Sequence, residues 1–313
     1  MKRLALFILL GFACSVGFSQ NLRWNGFGTP IPVCSNLDVH WDAPSMKLPP
    51  QIWVYHILPN SFSPDVISNV MELCSFTEKD KIKQTGDGMT FQNHDDSRIL
   101  QISAPSANIH YEIKEHNYGP TNLAVGVPKM SQLPGLTTNL LEKFQIPISA
   151  VTGYFQTDKF NLWEPLTEYF VHGTIITNIE FRGVNCRRTV DGMPVVGGDG
   201  VGLRFGEHGE INKISVHWHN LERHKSYPAV SQKNVVDFLR QGKAVQGLVP
   251  VNFGYIDWST VKSVRIEKVW PSYRPENTGW LYPYLALWTT VETPRGNVDV
   301  EIDCPIIDEA NQR

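Results

Sequence analysis

The sequence predicts an α+β protein in which short helices lie on antiparallel sheets, in two modules placed in tandem. Three observations predict it. Val298, Val300, Ile302 and Cys304 alternate with Asp299, Glu301 and Asp303, the period of a strand with one face inward and one in water. Two short apolar stripes follow helix-start signals: Ser63-Pro64 precedes Ile67, Val70, Met71 and Cys74, and Ser231 precedes Val235, Val236 and Leu239, with Gly242 as the stop. A hydroxyl cap, proline in the first turn and glycine after the last turn are the chemistry of helix ends. Long helical repeats and coiled-coil heptads do not occur.

The chain opens with an export signal. Lys2 and Arg3 precede the uncharged run Leu4 to Leu10, and Gly17 and Ser19 supply the small residues of a cleavage site before Gln20. This is the plan of a secretory signal peptide over residues 1–19. The run is shorter than the roughly 20 apolar residues a spanning helix needs. Ala13-Cys14 offers a second reading, the cut site of a lipoprotein with lipid on Cys14, although Gly11 stands where a lipobox carries leucine. The expected location is periplasmic or extracellular, or lipid-anchored to the envelope, with no transmembrane span in the mature chain.

Loss of residues 1–19 leaves 294 residues and takes the basic count from 28 to 26 against 31 acidic residues, a net charge of −5. No basic excess is present to neutralise phosphates, which argues against nucleic acid as a partner. With 42% hydrophobic and 11% aromatic residues against 19% charged, the chain can bury cores and is not of disordered composition. Cys34, Cys74, Cys186 and Cys304 survive cleavage. An even number in an exported chain suggests disulfides, in any of the pairings four cysteines allow.

Residues 20–50, with Pro30, Pro32, Pro44, Pro49 and Pro50, read as an extended arm. A first module spans 51–117: a strand from Ile52, the helix after Ser63, then Met89–Gln92, Arg98–Ser103 and the alternating Ile109, Tyr111 and Ile113 as a meander. Residues 118–134 form a linker rich in glycine and proline. A second module spans 135–305. It holds a helical stripe at Leu136, Leu140, Leu141 and Phe144, a strand over 174–182, turns at Asp191-Gly192 and Gly197-Gly198-Asp199-Gly200, and the alternating Val201, Leu203 and Phe205. Glu207-His208-Gly209 is a hairpin turn, after which Ile214, Val216 and Trp218 face one way. A closing sheet follows the helix at Ser231, and 306–313 is a tail.

The order Asp191-Gly192-Met193-Pro194-Val195-Val196-Gly197, Phe205-Gly206-Glu207-His208-Gly209-Glu210-Ile211, Trp218, Leu221-Glu222, Tyr227-Pro228, Ser231, Leu239, Gly242 and Leu281-Tyr282-Pro283-Tyr284 resembles the PepSY-type and propeptide-like modules of exported bacterial proteins. It is also similar to the YycH/YycI-like extracytoplasmic regulators of two-component signalling. The resemblance covers residues 51–117 loosely and 135–305 better. It implies tandem cystatin-like, PepSY-like modules that bind or restrain another protein and do no catalysis. Those regulators keep an N-terminal membrane helix, which this chain replaces by a cleavable leader.

Among chemical motifs, His217 and His219 flank Trp218 and share one face of a strand. With His224 or Glu222 as a third ligand they would suit zinc or copper; an exposed polar face is the plainer reading. Gly197-Gly198-Asp199-Gly200-Val201-Gly202 lacks the Lys-Ser/Thr of a phosphate loop and reads as a turn. Glu164 and Glu168 read as a solvated helix face. No GxSxG elbow occurs. Tyr273, Trp280, Tyr282, Tyr284 and Trp288 concentrate aromatic surface, with Trp280, Tyr282, Tyr284 and Trp288 as candidate contacts to a peptide or glycan; about half of the five are expected to fill the core of the closing sheet and the rest to be exposed. The expectation is a non-catalytic, cofactor-free exported interaction module, regulatory or inhibitory towards a cell-envelope protein. A metal-dependent exported enzyme and a glycan or cell-wall binder are the alternatives.

Overall fold

The computed structural model describes residues 29–59, 62–104, 106–114, 118–153, 158–247, 256–275 and 279–307. The expected leader, with Cys14, and most of the tail lie outside these residues. Among the described residues strand accounts for 50% and helix for 17%, so sheets organise the chain. This overturns the α+β expectation of tandem modules of short helices on antiparallel sheets. The period-2 stretches join strands more than a hundred residues apart, and among the described residues three short α-helices accompany them.

The first sheet runs in the order Thr29–Pro30, Val245–Gln246, Gly296–Pro305, Trp280–Thr293, Ser263–Pro275, Asp38–Trp41. Only its last pair, Ser263–Pro275 with Asp38–Trp41, is parallel, which makes the sheet mixed. Gln51–Leu58 attaches to Trp280–Thr293 and carries Asn220–Pro228 on its other side. The second sheet is antiparallel and runs Met193–Pro194, Arg182–Val190, Gly200–Phe205, Ile211–His217, Asn108–Ile113, Arg98–Ser103, Gly88–Gln92, Lys81–Thr85. A separate hairpin pairs Thr167–Val171 with Thr174–Asn178. Glu168 therefore lies on a strand, and Glu164 pairs with Arg182 at 2.6 Å; neither sits on the helix face expected of them.

Each sheet has its own core. Helices Pro64–Leu73 and Leu133–Lys143 bury Val66, Val70, Leu133, Leu140 and Leu141 against the second sheet, among Leu100, Ile109, Leu203 and Ile214. The Ser63 hydroxyl accepts from the Val66 amide at 3.2 Å, which caps the first of these helices. Helix Gln232–Arg240 serves the first core with Val235, Phe238 and Leu239. Phe238 takes the inward position expected of Val236, which is only half-buried.

Cys34, Cys74, Cys186 and Cys304 are free thiols, which overturns the expected disulfides. Cys304 lies in the first core with Cys34 packed against it, and Cys74 and Cys186 lie in the second, but none is at disulfide distance from another. Burial pushes the Cys74 and Cys186 thiols up to about 12 and raises Cys304 well above its ordinary value, so they behave as small apolar groups.

The closing alternation holds with one exception. Val298, Val300, Ile302 and Cys304 are buried and Asp299 is exposed, but Asp303 is also fully buried. Its Oδ2 accepts from Arg274 Nη1 at 2.6 Å, and the guanidinium lies 4.7 Å from the Tyr284 ring centre. Its Oδ1 has no hydrogen-bond partner among the described residues.

Burial raises the Asp303 carboxyl to about 7, with Arg274 opposing the shift. A folded state that holds the proton to higher pH than the unfolded chain is stabilised below the ordinary carboxylate range and loses that contribution as pH rises. The stability of the protein relative to its Asp303→Asn variant, from urea denaturation at a series of pH values, is thus expected to fall between about pH 4 and pH 7 and to level off above. A relative stability that rises over the same window would show that the Arg274 charge prevails over burial.

Candidate functional site

The chain crosses from the second sheet to the first through Trp218 and His219, between the strands Ile211–His217 and Asn220–Pro228. A buried carboxylate sits at this crossing. Asp199 is 5% exposed and comes from the glycine-rich turn, which runs along the end of the Ser263–Pro275 strand. The Val196 amide donates to the Tyr273 carbonyl at 2.7 Å. A Cβ on Gly198 would stand 2.7 Å from Pro275 Cγ, so this close passage requires glycine.

Asp199 is fully engaged. Its Oδ2 accepts from Arg188 Nη1 at 2.7 Å and from the His219 amide at 3.2 Å, and its Oδ1 lies 2.6 Å from His219 Nδ1. Arg188 also donates to the His219 carbonyl and places its guanidinium 4.8 Å from the Trp218 ring centre. Two motifs that are separate in sequence, the glycine turn and His217-Trp218-His219, are thus one constellation. A carboxylate on Nδ1 fixes the orientation of the His219 ring. Burial pushes the His217 imidazole below its ordinary value, with Asp199 opposing the shift, which favours the neutral ring.

A second constellation fastens the tip of the hairpin between Arg182–Val190 and Met193–Pro194. Asp191 and Gly192 both have positive φ, 49° and 79°, the geometry of a tight type I′ turn. The turn carries Asp191 to the first sheet, where Tyr55 donates to Oδ2 at 2.5 Å and Arg223 Nη2 to Oδ1 at 3.3 Å. Tyr273 donates to the Trp53 carbonyl at 2.9 Å. Burial, with Asp191 adding to it, raises the Tyr55 hydroxyl to about 12 and raises Tyr273 further, so both stay protonated donors.

Next to this anchor, Gln51–Leu58, Asn220–Pro228 and Trp280–Thr293 bring together an aromatic and imidazole face. The His56 ring centre lies 3.7 Å from that of Trp280, and His224 stands edge-on to Trp280 at 4.7 Å and stacked 5.7 Å from His56. Arg223 lies 5.2 Å from the Trp53 ring centre. His224 occupies a bulge between Arg223 and Lys225 in the pairing with Gln51–Leu58, a device that re-aims a strand side chain. Arg223 and His224 are exposed, and Trp53, His56 and Trp280 half-buried.

The residues expected from sequence are thus divided. His217 and His219 belong to the crossing, whereas His224 joins Trp280; among the described residues no three His, Cys, Asp or Glu side chains are grouped to hold a metal. Tyr282 and Tyr284 are not surface contacts. Tyr282 packs in the first core and Tyr284 lies beneath Arg274. Trp288 is half-buried, opposite Lys268 and Glu301 in the register. Trp53, His56, Arg188, Arg223 and the Asp199 carboxylate went unrecognised as site residues. Only the glycines around Asp199 signalled that the backbone makes a close approach there.

No protein-family model matches the chain, and no curated protein matches it. Among solved structures it is similar to the Bacillus megaterium YpeB C-terminal domain, at 9% identity and a TM-score of 0.36, over 78% of this chain and 98% of that one. A likeness of this size carries no argument for fold or function.

Breaking a buried, hydrogen-bonded charge pair leaves the surviving partner uncompensated. Asp199→Ala is expected to lower unfolding free energy by about 3 kcal/mol or more in urea denaturation, and Asp199→Ala with Arg188→Met to recover part of that loss. A loss in the double variant equal to the sum of the two single losses would show that the two side chains act independently.

Proposed function

We propose that this chain is a non-catalytic interaction module of the cell envelope, regulatory or inhibitory towards another protein, and that it binds through the face of His56, His224 and Trp280. The single observation that carries the reading is the His56–Trp280–His224 cluster of rings in mutual contact, accessible to solvent on strands drawn from three distant parts of the chain. Indole and guanidinium groups dominate the binding energy of protein interfaces, because each offers a large, rigid contact area with a polar handle. The face is also held in place. Asp191 ties Arg223 and Tyr55 together behind it, so little side-chain freedom is lost when a partner covers it. The export signal at Lys2 to Ser19 supports the envelope as the compartment.

The test is site-specific photo-cross-linking in the producing cell, with the probe at Lys225 beside the face, followed by mass spectrometry. One envelope protein is expected to be recovered reproducibly. Trp280→Ala or His224→Ala in a still-folded chain is expected to reduce that capture by about tenfold or more, the size of a hot-spot truncation. Trp288→Ala, on another part of the sheet, should leave it unchanged. Capture unaffected by Trp280→Ala, or binding to purified wall polymer in place of any protein, would overturn the reading.

A further inference from the structure

The hairpin Thr167–Val171/Thr174–Asn178 stands apart from both large sheets. Its strands pair Phe170 with Ile175, Tyr169 with Ile176 and Glu168 with Thr177 around a turn at His172 and Gly173, and among the described residues neither strand pairs with any other. Phe170 is 77% exposed, Ile175 61% and Leu166 59%. An isolated two-stranded ribbon is marginal in water, and this one turns a cross-strand apolar pair outward.

The composition of the edges selects the occupant. Thr174–Asn178 reads Thr-Ile-Ile-Thr-Asn: it has no charge and no proline, the residues that normally guard an open strand edge against pairing. The opposite strand carries the exposed Glu168, which would meet its own copy as a like charge across a symmetric pairing. Residues 166–181 contain no Lys or Arg, so nothing draws the hairpin to anionic lipid, and hydrocarbon cannot satisfy the open backbone groups of a strand edge. What fits is another uncharged strand edge with an apolar row beside it. A second copy of the chain carries one.

We propose that the Thr174–Asn178 edge pairs antiparallel with the same edge of a second copy of this chain. The contact is isologous: each copy contributes the same edge, and Phe170 and Ile175 of both lie on one covered face. The backbone groups of the edge gain partners, and the ribbon ceases to be a lone pair of strands. This is independent of the face around Trp280, since no residue is shared.

The experiment is sedimentation velocity with light scattering on the exported chain over a dilution series. A dimer is expected, and Phe170→Lys with Ile175→Lys should raise its dissociation constant by about a hundredfold or more, because two apolar anchors become like charges. Val33→Lys, at a 72% exposed valine elsewhere on the surface, should leave the dimer intact. Should the double variant lose its circular-dichroism spectrum, Thr177→Lys, a charge added at an exposed polar position on the same edge, takes its place with the same expectation. A wild type that is monomeric up to about 100 µM, above the micromolar range of weak specific complexes, would overturn the proposal. So would a dimer that the edge variants do not weaken, or a monomer that binds anionic lipid vesicles through the hairpin.

Discussion

Everything around the candidate face depends on one buried carboxylate. Asp199 stands where the chain leaves the second sheet for the first, and a charge at 5% exposure is tolerated only if its hydrogen-bonding capacity is filled. Arg188, the His219 amide and the His219 ring fill it. These donors come from the end of one strand and from the crossing itself, so the requirement that Asp199 be satisfied dictates where Asn220–Pro228 begins. That start sets the register with Gln51–Leu58, and the register places His224 beside His56 and Trp280.

The two sheets are joined by polar contacts as well as by chain connection. Asp199 acts at the crossing and Asp191 at the hairpin tip, and Val195 bridges to Tyr273 between them. Each carboxylate is paired with an arginine, and each arginine also lies over an indole, Arg188 over Trp218 and Arg223 over Trp53. The same pattern of carboxylate, guanidinium and aromatic ring recurs inside the first sheet at Asp303, Arg274 and Tyr284. The ring lends the guanidinium a polarisable surface while the carboxylate takes its hydrogen bonds. Asp303 differs in being fully buried with one oxygen unpartnered, and burial raises its carboxyl to about 7.

What could be read in the sequence was local. The caps at Ser63 and Ser231, the strand Arg98–Ser103 and the alternation from Val298 to Cys304 depend on neighbours in the chain, and they are present. What could not be read was which strand lies beside which. Alternation assigns a side chain to a face but does not say whether that face is wet; Asp303 follows the parity of Asp299 and Glu301 yet is buried, because Arg274 reaches it from the Ser263–Pro275 strand. The same limit explains the site. His217-Trp218-His219 was visible as a pattern, but the partner of His219 is twenty residues away in a turn whose glycines suggested only a bend. Long-range pairing also explains the fold class. Short helices and strands in alternation suggested repeated units, whereas Ile211–His217 pairs with Asn108–Ile113 and Asn220–Pro228 with Gln51–Leu58, across the length of the sequence.

The most direct measurement of the dependence on Asp199 is amide hydrogen exchange on Asp199→Asn, which keeps the shape and removes the charge. Lost protection is expected in Gln51–Leu58 and Asn220–Pro228, two of the strands that carry the His56–His224–Trp280 face, with protection retained in Arg98–Ser103 and Asn108–Ile113. Exchange that is unchanged, or that rises equally in all four strands, would contradict it and show that the face is positioned without the carboxylate at the crossing.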